Sequence, residues 1–271
     1  MTDRYAVIGH PIAHSKSPVI HAAFARQTAQ DIDYGAILAP LDGFLASVGE
    51  FRAYGGRGLN VTVPFKLEAY ALADELTERA EAAGAVNTLK FDGGSVLGDN
   101  TDGAGLVSDI TTRLGVALAG TRILLMGAGG AARGVVRPLL EHRPALLAIA
   151  NRTVEKAHAL AQRFAPHGPV RGGAYREFAD ERFDVIINAT SASLSGAMPP
   201  VSDRAFAGSA VAYDMVYSDR PTKFLEHAKA SGAGQVVDGL GMLIAQAAES
   251  FLLWRGVRPD TRPVIAMMHE S

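Results

Sequence analysis

The stretch Gly127-Ala128-Gly129-Gly130-Ala131-Ala132 constrains the fold more than any other part of the chain. It follows the apolar run Arg122–Met126, which reads as a strand, and opens a helical pattern that extends to His142. A glycine-rich turn between strand and helix fits G-x-G-x-x-G/A in the context that this pattern requires. Each small residue has its own task. Gly127 permits the tight turn, Gly129 lets the backbone approach a pyrophosphate, and Ala132 keeps the helix close to the strand. The helix N-terminus then offers free N–H groups and a positive dipole end to phosphates. A turn without a ligand is the bland alternative; the flanking strand and helix favour a nucleotide.

Around this turn, short β-branched runs alternate with longer helical patterns nearly throughout, which argues for an α/β class with mostly parallel sheets. In the first hundred residues the pattern predicts strands at Tyr5–Ile8, Asp33–Leu38 and Leu59–Val63. Helices are expected from Pro18 to Gln27, from Asp42 to Ala53, from Phe65 to Leu72 and from Thr77 to Ala83. Val86–Phe91 and Ser95–Leu97 flank Asp92-Gly93-Gly94, a hairpin signal. From Asp102 onward, strand–helix units dominate. A helix over Gly103–Leu114 precedes strands at Thr121–Met126, Leu146–Ala150, Asp184–Asn188, Val211–Met215 and Gln235–Val237. The last long helix, Leu240 to Arg255, carries an apolar stripe of period 3.6 through Leu243, Ile244, Ala247, Ala248 and Phe251. No internal repeat and no linker rich in Pro, Gly or Ser appears; helices near 103–114 and 240–255 are the expected connections between two domains.

Composition narrows the function classes. The 271 residues leave room for two small domains or one large one. Lys plus Arg is 26 against 28 for Asp plus Glu, a net charge of −2, so no basic field exists for a nucleic acid or a membrane surface. No apolar run approaches the roughly 18 residues that a spanning helix needs. Cysteine is absent, which excludes disulfides, thiolate metal sites and a cysteine nucleophile. The N-terminus lacks a signal-peptide pattern and an arginine-rich transit pattern, so a cytoplasmic location is expected.

The end of the second strand after the glycine turn decides which nucleotide is favoured. NAD-binding units usually carry Asp or Glu about 20 residues on, bonded to the ribose 2′-hydroxyl. Here Ala150-Asn151-Arg152-Thr153 stands at that place, with Lys156 one helical turn later. Arg152 can pair bidentately with a phosphate, and Lys156 adds a second positive charge on the same face. The ordinary alternative is a helix cap with surface charges. Together the two cations favour NADP.

Three polar clusters in the first half call for a chemical account. Ser15-Lys16-Ser17-Pro18 reads as a helix start, with Ser17 as N-cap and Pro18 at the first helical position. The same two hydroxyls beside a helix N-terminus make an anion site for a small carboxylate, and both readings can hold at once. In Leu59-Asn60-Val61-Thr62-Val63-Pro64-Phe65-Lys66, alternation puts Leu59, Val61 and Val63 on one face and Asn60 and Thr62 on the other. Lys66 follows at the strand's exit and needs partners to become a proton-transfer group. Gly98-Asp99-Asn100-Thr101-Asp102-Gly103 precedes a helix, with Thr101 or Asp102 as its cap. No metal is expected, because further ligands at suitable spacing are wanting, and Pro11 separates His10 from His14.

These residues resemble one family, the shikimate dehydrogenases. The resemblance rests on Ile12-Ala13-His14-Ser15-Lys16-Ser17-Pro18, Asn60-Val61-Thr62-Val63-Pro64-Phe65-Lys66 and Gly84-Ala85-Val86-Asn87-Thr88. It continues through Gly98-Asp99-Asn100-Thr101-Asp102-Gly103, Gly127-Ala128-Gly129-Gly130-Ala131, Asn151-Arg152-Thr153 and Asp238-Gly239-Leu240-Gly241-Met242, in family order over nearly the whole chain. It implies an N-terminal substrate-binding α/β domain (1–102 and 240–271) facing a Rossmann-type dinucleotide-binding domain (103–239) across a cleft. The implied reaction is reversible NADPH-dependent reduction of 3-dehydroshikimate to shikimate. By carry-over, Ser15, Ser17 and Tyr217 hold the substrate carboxylate. Thr62, Asn87, Asp102 and Gln246 bind its hydroxyls, and Lys66 paired with Asp102 moves the proton. Gly127, Ala128, Gly129, Gly130, Ala131, Asn151, Arg152, Thr153 and Lys156 bind NADP(H), and Met215 and Gly239 line the nicotinamide. The expected partners are therefore small molecules, on a monomer or homodimer.

Two positions depart from the family's pattern. Lys156 stands where an arginine is common, and Ser193 in Asn188-Ala189-Thr190-Ser191-Ala192-Ser193 stands where a glycine is common. The rival readings are an NAD-using quinate/shikimate dehydrogenase and a nucleotide-binding regulatory module without catalysis. Asn151-Arg152 argues against the first, and retention of both Lys66 and Asp102 against the second.

Overall fold

The computed structural model describes residues 2–218 and 220–269. The chain forms two compact units, one running to Gly105 and resuming at Leu243, the other spanning Leu106–Met242.

The first unit holds β1 (Asp3–Gly9), β2 (Ile32–Leu38), β3 (Gly56–Val61), β4 (Glu75–Leu76), β5 (Thr88–Asp92) and β6 (Ser95–Asp99). They form one mixed sheet in the order β2-β1-β3-β5-β6-β4. Parallel pairing joins β1 to β2 and β3, whereas β5 runs antiparallel to β3 and β6. Tyr5, Ala6, Val7 and Ile8 are all buried, as a strand covered on both faces requires. The β5–β6 connection turns at Gly93 and Gly94, both at positive φ, the conformation that two-residue hairpin loops favour. Ile8, Phe44, Leu59, Val61, Phe65 and Leu89 anchor the core of this unit. Alternation in β3 holds only to Val61. Val63 lies beyond the strand and is exposed, while Asn60 is buried although its neighbours are too, because both faces of this interior strand are covered.

The second unit holds β7 (Arg122–Met126), β8 (Leu146–Ala150), β9 (Val170–Gly173), β10 (Val185–Asn188), β11 (Val211–Asp214) and β12 (Gln235–Val237). All are parallel, in the order β12-β11-β10-β7-β8-β9. The chain moves outward from β7 through β8 to β9, then returns to the other side of β7 at β10. That reversal creates a switch point at the carboxyl ends of β7 and β10, where ligands of such sheets bind. The residues of β10 and β11 are all buried, apolar until each strand ends in a hydrogen-bonded polar residue, Asn188 and Asp214.

One local feature departs from the sequence expectation. The helix expected over Gly103–Leu114 is α-helical only over Asp102–Ser108 and widens into a π-turn at Asp109–Arg113. There the buried Asp109 carboxylate accepts from Arg113 Nη2 at 2.8 Å and from the Tyr213 hydroxyl at 2.7 Å. Gly241 makes room for it, since a Cβ there would overlap the carboxylate. Among the described residues, no helix is long and apolar enough to cross a membrane.

Candidate active site

Lys66 and Asp102 are 36 residues apart in sequence, yet Lys66 Nζ lies 2.6 Å from Asp102 Oδ2. Lys66 opens the helix Lys66–Leu72 just beyond β3, and Asp102 opens the helix that follows β6. The side chains are 25% and 10% exposed, so the pair is held in a partly desolvated setting rather than on open surface. Neither Thr101 nor Asp102 spends its side chain on a helix cap. Asp102 Oδ1 accepts instead from Asn87 Nδ2 at 2.7 Å, and the Thr101 hydroxyl donates to Gln246 Oε1 at 3.2 Å.

Asn87 is the meeting point of this cluster. Its Oδ1 accepts from the Thr101 backbone N–H at 2.9 Å, and a backbone N–H can only donate, so the amide orientation is fixed. Gln246, on the helix Leu240–Arg255, reaches Asn87 Nδ2 through Oε1 at 3.3 Å and donates from Nε2 to the Leu243 carbonyl at 2.9 Å. Thr62 follows β3 directly, with its N–H bonded to the Ile8 carbonyl at 3.0 Å.

At the helix Ser17–Thr28 the capping expectation needs correction. Lys16 occupies the cap position and no side chain caps it; Ser17 is the first helical residue. The Ser17 N–H donates to Ser15 Oγ at 3.3 Å, so Ser15 satisfies one of the free N–H groups of the first turn. Ser17 is buried, and its hydroxyl bonds the Tyr34 phenol, which burial pushes well above its ordinary range. Tyr217, after β11, is also pushed up by burial.

In the second unit, Gly127 takes φ +108° at the end of β7, and a Cβ there would press on the Ala189 carbonyl. Gly129 precedes the helix Gly130–Glu141 with no side-chain cap, and added Cβ atoms on Gly129 or Gly130 would meet nothing. Ala128 and Ala132 are buried against the sheet while Gly129 and Gly130 are exposed. After β8, Asn151 Nδ2 donates to the Thr153 carbonyl at 2.8 Å, which shapes the turn that presents Arg152. Arg152 and Lys156 are both exposed, and neither forms an ion pair among the described residues. Gly239 admits the Met215 carbonyl so closely that any Cβ would overlap it.

Sequence reasoning left the Ser193 loop open, and the structure gives its account. Ser193 sits in a short 3-10 turn, Ala192–Ser195, and its hydroxyl donates to Asp214 Oδ2 at 2.6 Å. Asp214 also accepts from Thr222 Oγ1 at 2.7 Å, Asn188 Nδ2 at 3.2 Å and the Val216 N–H at 3.1 Å. This buried carboxylate ties the loop after β10 to the loop that carries Met215 and Tyr217.

Sequence reasoning did not single out His21, Tyr34, Thr88 or Ser250, which pack behind Asn87. Ser250 carried a readable signal: it lies four residues after Gln246, on the same face of a mostly apolar helix.

Comparison with known proteins shows the family. Residues 7–89 match the family pattern described as "Shikimate dehydrogenase substrate binding domain". Residues 109–196 match "Shikimate / quinate 5-dehydrogenase", and residues 239–266 match "Shikimate 5'-dehydrogenase C-terminal domain". A shikimate dehydrogenase (NADP(+)) from Nitrosospira multiformis is 61% identical over 271 residues, covering 100% of this chain and 98% of that protein. Among solved structures, an Ael1 enzyme from Pseudomonas putida is 48% identical with a TM-score of 0.95, covering 98% of both chains. Shikimate 5-dehydrogenase from Thermus thermophilus, in complex with NADP(H) and shikimate, is 34% identical with a TM-score of 0.88, covering 99% of both chains.

Proposed function

The chain belongs to the shikimate dehydrogenase family, and from that premise we propose that it interconverts 3-dehydroshikimate and shikimate with NADP(H). The observation that carries the reading is the Lys66 Nζ–Asp102 Oδ2 contact of 2.6 Å beside Asn87 and Gln246. An ammonium held by a carboxylate, ringed by amide and hydroxyl groups, suits a polyhydroxylated substrate whose oxygen gains charge during reduction.

The residues of the second unit fit the cofactor. Its helix N-terminus lacks a side-chain cap and is open at Gly129 and Gly130, and Arg152 and Lys156 bring unpaired positive charge where a 2′-phosphate needs it. Asn151 and Thr153 shape that turn; Met215 and Gly239 would bound the nicotinamide of the bound cofactor. NADP(H), when bound, supplies or takes the hydride. Ser15, Ser17 and Tyr217 bind the substrate carboxylate, and Thr62, Asn87, Asp102 and Gln246 its hydroxyls. As hydride reaches the carbonyl carbon, Lys66 donates a proton to the carbonyl oxygen, and Asp102 holds the ammonium in line. In the oxidative direction Lys66 takes that proton from the hydroxyl.

The test is absorbance at the reduced-nicotinamide band, with shikimate or quinate against NADP or NAD. Rapid reduction with shikimate and NADP is expected. Faster reduction with quinate and NAD would replace the reading by that of a quinate dehydrogenase, and no reduction with any pair would remove it.

A further inference from the structure

Behind Asp102, the first unit buries more polar side chains than the proposed chemistry uses. Thr88, Ser250 and His21 are fully buried, and Asn60 nearly so. Their donors can be assigned one at a time. The Thr88 hydroxyl donates to Asn87 Oδ1 at 2.9 Å. Having given its proton there, Thr88 Oγ1 is an acceptor, for Ser250 Oγ at 2.8 Å and Asn60 Nδ2 at 3.2 Å; Ser250 Oγ also reaches the Gln246 carbonyl at 3.2 Å. Ser250 Oγ in turn accepts from Asn60 Nδ2 at 2.9 Å. Asn60 Oδ1 accepts from the Tyr34 hydroxyl at 2.7 Å and faces His21 Nε2 at 3.1 Å. Burial pushes the His21 pKa down to about 3, so the ring is neutral and its single proton sits on Nε2, toward Asn60.

With Ser250 donating to Thr88, the bonds run in one direction: from His21 and Tyr34 through Asn60, Ser250 and Thr88 to Asn87, and from Asn87 Nδ2 to Asp102. Turning the Thr88 hydroxyl away would leave Asn87 Oδ1 with its Thr101 donors alone, a loss that a water-excluded interior penalises. We propose that Thr88 and Ser250 are positioning residues that, together with the Thr101 N–H, hold the Asn87 amide in place so that it donates to Asp102, and thereby steady the carboxylate that holds Lys66. The inference rests on the proposed roles of Lys66, Asp102 and Asn87. Neither Thr88 nor Ser250 performs a chemical step itself.

The experiment compares Thr88→Val, which keeps the shape and loses the hydroxyl, with Thr88→Ser, which keeps the hydroxyl. Measurements are kcat, KM for shikimate, KM for NADP, and a thermal melt. Thr88→Val is expected to lower kcat by about 10-fold, the consequence of one lost buried hydrogen bond to Asn87, with KM for NADP within about twofold. Thr88→Ser should restore kcat to within about threefold of wild type. Ser250→Ala is read in the same way, so the inference stays testable if Thr88→Val does not fold. Were both hydroxyls only structural, Tm would fall while kcat per folded enzyme stayed at wild type, and that result overturns the inference alone. A wild-type protein inactive on shikimate overturns the functional reading and the inference with it.

Discussion

Around Lys66, polar side chains are buried against one another and nearly every donor has an acceptor; around Gly129 and Arg152, polar groups face solvent and wait for a partner. The first arrangement is rigid before any ligand arrives, since each side chain is oriented by a neighbour that is itself oriented. The second relies on backbone N–H groups and two flexible cations that gain their interactions only when phosphate binds. The difference teaches where precision is needed. A proton must be placed on one oxygen among several on a small ring, whereas a pyrophosphate and a 2′-phosphate are large, highly charged handles.

The largest expected effect lies on the rigid side. Lys66→Ala should lower turnover by roughly 10²–10⁴-fold with little change in shikimate KM, the usual worth of a general acid–base group. Steady-state kinetics decide it, and turnover within about threefold of wild type would take Lys66 out of the mechanism.

On the open side, Arg152→Ala should weaken NADP far more than NAD. One or two charge-assisted hydrogen bonds correspond to about 10- to 1000-fold in preference. Catalytic efficiency with each cofactor, in wild type and variant, gives the ratio. Equal losses would break the contrast by showing that Arg152 does not read the phosphate.

A third prediction probes the buried network through its stability. His21 titrates near 6.5 when exposed and near 3 when folded, so between those values the unfolded chain binds the extra proton. Its contribution is therefore fully present above pH 6.5 and declines as pH falls toward 3. Between pH 7 and pH 5 the loss is about 2 kcal/mol, and His21→Gln should lack that part of the slope. Urea denaturation at both pH values measures it; identical slopes would mean that the buried imidazole is not excluded from protonation.

The smallest effect is expected at Lys156. Lys156→Ala should reduce NADP preference only a few-fold, because a lysine is a point charge on a flexible stem rather than a planar fork. A loss equal to that of Arg152→Ala would show that the two cations act as one clamp.

The glycine turn was legible because its residues are contiguous: the strand, turn and helix lie within one stretch, and each small residue answers a local steric need. Lys66, Asn87 and Asp102 were legible as motifs, but the pairing of Lys66 with Asp102 came only from the family resemblance, since the alignment that joins them depends on β3, β5 and β6 pairing in one sheet. Ser17 was misread as a cap because a Ser-Pro start looks the same whether the hydroxyl turns to its own helix or to a tyrosine across the core. Short β9 escaped notice because Val170-Arg171-Gly172-Gly173 carries no strand pattern of its own. It pairs with β8, and Gly172 is needed there because a Cβ would overlap the Ala157 carbonyl of the covering helix.

By itself, the sequence determined the α/β alternation, the nucleotide turn, the basic strand end and the identity of the polar residues, all of which depend on local spacing and backbone sterics. Only the tertiary structure decided which polar groups became partners. A hydroxyl at Thr88 or Ser250 has no fixed direction in the chain; it acquires its partners when burial removes water and leaves only neighbouring side chains and carbonyls to bond.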